Sequence, residues 1–196
     1  MYTTMERVIL ASASPRRRGY LRQLGIDFDV VVAEIDETPD IGESPINYVG
    51  RMARMKNGEV QQTNPERCII AADTIVFLGD AIFGKPRSEA EAVQTLMLLS
   101  GKVHSVATAL CITWQKYRIV HEQTVVTQVE FSAITKETAR AYVATGESRD
   151  KAGAYGIQGR GGALVKELRG SYSNVVGLPL NELVGALSKY GIVTTK

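Results

Sequence analysis

Ser12-Ala13-Ser14-Pro15-Arg16-Arg17 brings two hydroxyls and two guanidinium groups to the point where a short apolar run hands over to a helix. Backbone N–H groups are unpaired at a helix N-terminus and bind phosphate well, and guanidinium forks match phosphate oxygens. The same residues also make an ordinary capped helix with a solvated arginine face, so spacing alone leaves both readings open. Asp73, followed by Thr74, is a sharper signal, because it interrupts Ile69-Ile70-Ala71-Ala72-Asp73-Thr74-Ile75-Val76. A charge in a run suited to burial is costly unless something pairs with it. It is either a salt-bridged or strand-end carboxylate, or one that binds metal or activates water. Lys85 in Phe83-Gly84-Lys85-Pro86 reads alone as a surface residue and beside Asp73 as a phosphate counter-charge, and Lys56 stands likewise at the end of a helix. Glu34, Asp36 and Glu37 form an acidic loop with the oxygen chemistry that Mg²⁺ takes. The run from Asp150 to Gly159 holds Gly153, Gly156 and Gln158. Its amide can read a base edge with one donor and one acceptor, and its glycines let backbone approach a ligand; the alternative is a flexible turn.

The elements that must carry these residues follow from apolar spacing and punctuation. A strand over Arg7 to Ala11 leads into a helix that Ser14 caps, Pro15 starts and Gly25 ends near Leu24. Phe28 to Val32 reads as a strand. A second helix begins at Ser44-Pro45 and runs to Lys56, where a cation suits the dipole and Asn57-Gly58 signals a stop. Cys68 to Leu78 is a strand turning at Gly79-Asp80 into Ala81 to Phe83. Ser88 and Glu91 form a capping box for a helix to Leu99. Two long strands follow, Val103 to Trp114 and Arg118 to Phe131, then a helix that Thr135 caps, running to about Thr145. The glycine-rich loop from Asp150 to Gly162 precedes a strand over Ala163 to Leu168 and a final helix from Pro179 to Tyr190. Interleaved helices and hairpins predict an α/β fold with a mixed, twisted sheet. The only candidate boundary is at Lys85 to Ser88, and Met1 to Glu6 and Thr194 to Lys196 read as loose ends.

Composition narrows the function classes. The chain has 196 residues, 44% hydrophobic and 22% charged, which suits one globular domain of residues 1–196 or two joined lobes. A net charge of +2 excludes the strong basic excess of a nucleic-acid polymer track. Arg7, Arg16, Arg17, Arg18 and Arg22 nonetheless crowd the N-terminal end against Glu6 alone, which suits a small, highly charged anion. Cys68 and Cys111 lie in strand-like runs and read as buried free thiols of a cytoplasmic protein. No segment approaches the roughly 20 apolar residues of a membrane span.

Taken together, Ala11 to Arg17, Ile35-Asp36-Glu37, Ala72-Asp73-Thr74, Gly84-Lys85-Pro86, Leu99-Ser100-Gly101, Asp150 to Gly159 and Ser171 to Pro179 resemble the Maf family of nucleotide pyrophosphatases. Each string is weak alone, but they occur in family order from Ile9 to Leu180. The resemblance implies two lobes around a mixed sheet with a nucleotide cleft, a divalent cation (Mg²⁺ or Mn²⁺) and often a homodimer. It implies Asp73 as the proton acceptor, with Arg16, Thr74 and Gln158 linked to substrate choice. Ser12, Arg17, Glu37, Lys56 and Lys85 match other positions of the substrate site, and Ser14 lies in the same phosphate-binding string. Glu37 and Asp73 are the candidate metal ligands. Tyr155-Gly156-Ile157-Gln158-Gly159 is similar to the branch acting on dTTP and UTP rather than the one acting on 7-methyl-GTP. Two stretches depart from the family pattern: Arg18-Gly19-Tyr20 replaces an acid and two leucines, and Asn57-Gly58 follows Lys56 where the helix tends to continue. The rival readings are a pyrophosphatase for a modified purine nucleotide and a nucleotide-binding regulator of cell division.

Overall fold

Four N-caps expected from the sequence set the starts of four helices in the computed structural model, which describes residues 1–195. Ser14, Ser44, Ser88 and Thr135 each accept a hydrogen bond from the backbone N–H three residues on, at 3.1 to 3.4 Å. In chain order the elements are β1 (Tyr2–Thr4), β2 (Val8–Leu10), α1 (Pro15–Leu24), β3 (Phe28–Val30), α2 (Pro45–Thr63) and β4 (Ile69–Leu78). Next come β5 (Ala81–Phe83), α3 (Glu89–Leu99), β6 (Val103–Trp114), β7 (Ile119–Phe131) and α4 (Lys136–Ala144). The chain continues through β8 (Val165–Arg169), α5 (Tyr172–Val176), α6 (Leu180–Lys189) and β9 (Val193–Thr195).

Seven strands pair in the order β3-β2-β4-β6-β7-β8, with β5 on β4. β2 is parallel to both β3 and β4, because the connections through α1 and α2 are long enough to return the chain in the same direction. β4 with β5 and β7 with β8 are antiparallel, so the sheet is mixed as expected.

The residues gather into two compact units, each with its own apolar core. The first holds Met1–Asp73, Thr108–Val125 and the chain from Gly177 on. Its core includes Val8, Leu10, Ile70, Ile112, Leu178 and Leu187. The second holds Thr74–Ala107 and Val126–Val176, with Leu96, Leu99, Val129, Phe131 and Tyr155 inside. The unit boundary on β4 is at Asp73 and Thr74, whereas Lys85 to Ser88 lies wholly within the second unit.

Several expectations need correction. α2 does not stop at Asn57-Gly58 but runs on to Thr63. Asn57 is buried and donates through Nδ2 to the carbonyls of Ile69 (3.2 Å) and Cys111 (2.9 Å), so tertiary bonding overrides a local stop signal. The ends are not loose: β1 pairs antiparallel with β9, Tyr2 opposite Thr195, although Lys196 lies outside the described residues. The strand from Phe28 is short, and α5 had no signal strong enough to be foreseen. Cys68 and Cys111 are buried free thiols, their pKa values pushed up to about 12 mainly by burial. Among the described residues no helix is long and apolar enough to cross a membrane.

Candidate active site

The apolar face of α2 explains how a lysine comes to stand beside Asp73. Tyr48, Met52, Asn57, Val60 and Gln61 are buried at the spacing of one helix face, and Lys56 lies on that same stripe. Its ammonium therefore points inward. Nζ lies 2.6 Å from Oδ1 of Asp73 and 2.6 Å from Oε1 of Glu37. The Lys56 and Asp73 side chains keep only 14% and 13% of their exposure, while Glu37 is half-exposed. Asp73 is thus a carboxylate in a largely buried strand with a cationic partner at hydrogen-bond distance, the pairing that burial calls for. Lys56 stands in mid-helix, so the dipole argument for a terminal cation does not apply to it.

Beside this triad sits the first turn of α1. Ser14 holds the Arg17 amide as the N-cap, and Ser12 Oγ accepts from the Ser14 amide (3.2 Å) and from Arg17 Nη1 (3.0 Å). Arg17 Nε donates to the Gly177 carbonyl at 2.7 Å, so the guanidinium is fixed by two partners. Burial pulls the Arg17 pKa below its ordinary value; the Asp73 charge works against that, Arg16 adds to it and Glu37 opposes it. Those effects put Arg16, Glu37 and Asp73 within electrostatic reach of Arg17. The wider arginine cluster divides. Arg7 pairs with Asp29 at 3.0 Å and Arg18 bonds the Ala13 carbonyl, so neither adds to the cationic site.

Two participants had no role assigned from the sequence. Gly177 acts through its carbonyl, which carries no residue-type mark. Tyr48 donates from its hydroxyl to the Glu37 carbonyl at 2.7 Å, which anchors the acidic loop over α2. Burial, then the charges of Asp73 and Glu37, push the Tyr48 pKa up to about 12. Its place on the stripe of α2 was readable, but its contact with a loop was not.

The acidic loop splits by role. Asp36 Oδ1 accepts from the Thr38 amide (2.9 Å) and hydroxyl (2.6 Å), forming a turn. Glu37 alone reaches Lys56. The donor set fits a hard divalent cation: Glu37 and Asp73 already converge on one cationic centre, and carboxylate oxygens are the ligands such ions take. Among the described residues no group of three His, Cys, Asp or Glu side chains could hold a metal by itself. Further ligands would have to be water or phosphate oxygen, which is how Mg²⁺ is usually held.

Thr74, Lys85 and Gln158 belong to the second unit. Thr74 follows Asp73 on β4; Lys85 and Gln158 are exposed. The Lys85 loop is tied to the glycine-rich segment, with the Gly153 amide donating to the Gly84 carbonyl at 3.2 Å.

This chain is similar over nearly its whole length to several proteins of stated activity. A dTTP/UTP pyrophosphatase of Desulfotalea psychrophila is 50% identical over 194 residues, covering 99% of this chain and 100% of that protein. The dTTP/UTP pyrophosphatase of Myxococcus xanthus is 48% identical over 187 residues, 94% of this chain and 93% of that one. One from Bacillus cereus is 42% identical over 191 residues, 97% and 93% of the two chains. The Maf-like protein pattern matches residues 7–190. With that span continuous from Arg7 to Tyr190, the chain belongs to the Maf-like protein family.

Proposed function

We propose that this chain is a nucleoside triphosphate pyrophosphatase that hydrolyses dTTP and UTP to the monophosphate and pyrophosphate. The observation that carries the chemistry is the clamping of Asp73 by Lys56 beside Glu37 and Arg17. The substrate class comes over from the relatives, which are dTTP/UTP pyrophosphatases at 42% to 50% identity.

The first turn of α1, with Ser12, Ser14, Arg16 and Arg17, neutralises the phosphates. Lys56 holds Oδ1 of Asp73 and so fixes the direction of the carboxylate. Asp73 takes a proton from water as the water oxygen bonds to the α-phosphorus. The bond from the α-phosphorus to the bridging oxygen breaks, and pyrophosphate leaves with that electron pair. Glu37 and Asp73 are the residues that would hold a divalent cation, Mg²⁺ or Mn²⁺. Bound there, it supplies further neutralisation of the phosphate oxygens. Thr74 and Gln158 select the base. An amide offers an acceptor for the N3–H of thymine or uracil and a donor for a neighbouring carbonyl, a pairing that cytosine reverses.

The buried free thiols support a cytoplasmic setting, and the family resemblance supports a homodimer. The test is the efficiency of wild type and Gln158→Leu on dTTP, UTP, CTP, GTP and 7-methyl-GTP with Mg²⁺ and Mn²⁺. Wild type favours dTTP and UTP. The variant loses about 0.5 to 1.5 kcal/mol on those two, the usual net worth of one hydrogen bond, and less on CTP. A wild-type preference for 7-methyl-GTP overturns the substrate assignment, and a uniform loss in the variant removes Gln158 from base selection.

A further inference from the structure

Gln158 stands in a loop that its own unit braces from several sides. The Gly156 amide donates to the buried Tyr142 hydroxyl at 3.0 Å. Two residues past Gln158, the Arg160 amide donates to Oε2 of Glu147 at 2.9 Å. Glu147 also accepts Lys151 Nζ on its backbone carbonyl at 2.9 Å. The stem of Lys151 fills the space beside Gly156, where an added Cβ would lie 2.6 Å from Cε.

The glycines here let the loop close on the protein. A Cβ at position 159 would stand 2.5 Å from Glu147 Oε2, so only glycine lets that carboxylate reach the next amide. A Cβ at Gly161 would stand 2.6 Å from the Gly156 carbonyl oxygen and 2.8 Å from the Tyr142 hydroxyl. A hydrogen bond from a backbone N–H to an ionised carboxylate is stronger than one between neutral groups. Glu147 therefore holds the downstream end of the loop, and Tyr142 the upstream end.

We propose that Glu147 is a positioning residue for base selection: its carboxylate holds the Gly156–Arg160 loop in the conformation that presents Gln158 to the pyrimidine. The proposal rests on the reading of Gln158 as the base-contacting residue. Holding the loop before substrate arrives removes the ordering cost from the binding step, which favours the base that Gln158 can pair. Glu147 itself touches no substrate. Its loss acts on selectivity and KM rather than on the reaction at phosphorus.

The test compares wild type with Glu147→Ala and Glu147→Gln, with Gln158→Leu as a control. Amide hydrogen exchange across residues 155–162, measured without nucleotide, reports the brace directly. Steady-state kinetics on dTTP and CTP report its consequence. Glu147→Ala speeds exchange in this segment by about tenfold or more, as a lost local brace should. It also lowers the dTTP-to-CTP efficiency ratio by up to about tenfold through KM, the scale of one hydrogen bond, and leaves kcat on CTP near wild type. Glu147→Gln, whose amide oxygen still accepts, restores much of both. Unchanged exchange in Glu147→Ala overturns the proposal, because the loop is then held without it. So does faster exchange with an unchanged ratio while Gln158→Leu lowers that ratio, because loop position then does not govern selection. If Gln158→Leu itself leaves the ratio unchanged, the base-contact reading fails and this proposal falls with it; the exchange data still separate that failure from a missing brace.

Discussion

Asp73 and Lys56 illustrate what a single misfit residue discloses. Asp73 was legible because a carboxylate broke an apolar strand pattern, and a buried charge needs a partner. The family resemblance named Lys56 as a substrate-site position but not its pairing with Asp73; that emerges from the stripe of α2, which carries Lys56 inward to 2.6 Å. Asp73→Asn keeps nearly the same shape but cannot accept a proton. Turnover should fall by about 10² to 10⁴, the usual loss for a general base. Nucleotide binding should persist, as checked by isothermal titration beside steady-state kinetics; near wild-type turnover would remove Asp73 from that role. Spacing left Ser12, Ser14 and Arg17 open between a phosphate site and a plain capped helix; the fold gathers them around the first turn of α1. The Gly177 carbonyl that fixes Arg17 was not, because a backbone acceptor 160 residues away has no signature in residue type.

α2 is the element where local and tertiary signals conflict. Asn57-Gly58 favours a helix end, yet Asn57 is held by two carbonyls and by the Thr113 hydroxyl at 2.6 Å, and the helix continues to Thr63. The stop signal was real at the level of propensity and was overruled by packing that no local pattern contains. Gly58 remains a weak point, as does Gly19 in α1. Neither has a heavy atom within 4 Å of where a Cβ would stand, and neither needs positive φ. Gly19→Ala and Gly58→Ala should each stabilise the protein by about 0.5 to 1 kcal/mol, through helix propensity and a less free unfolded chain. Urea midpoints with unchanged slopes check this. A loss of stability in either variant would mean that the glycine serves contacts other than those described.

At the scale of the whole molecule, the mixed sheet followed from interleaved helices and hairpins. The pairing of β1 with β9 did not, because short terminal strands look like frayed ends until a partner is known. Two lobes were expected from the family resemblance, but where the two cored units divide was out of reach, since three of the boundaries fall inside β4, β6 and β7, where composition does not change. The second core holds a titration of its own. His104 is buried with Nε2 2.8 Å from the Tyr155 hydroxyl, and burial lowers its pKa to about 4. The unfolded chain, with its histidine near 6.5, then binds more protons than the folded one between those values. Stability from this group is complete above about pH 6.5 and is lost as the pH falls toward 4, by up to about 3 kcal/mol. His104→Gln, which can keep a polar contact with Tyr155, should flatten that part of the curve in denaturation at pH 7.5 and 4.5; an unchanged slope would assign the acid sensitivity to carboxylates. The claim on which all scales converge is that water attacks the α-phosphorus of the nucleotide. Hydrolysis of UTP in ¹⁸O-labelled water, with the products resolved by mass spectrometry, tests it most directly. UMP should carry the label and pyrophosphate should be unlabelled. Label in the pyrophosphate, or UDP and orthophosphate as the products, would contradict it.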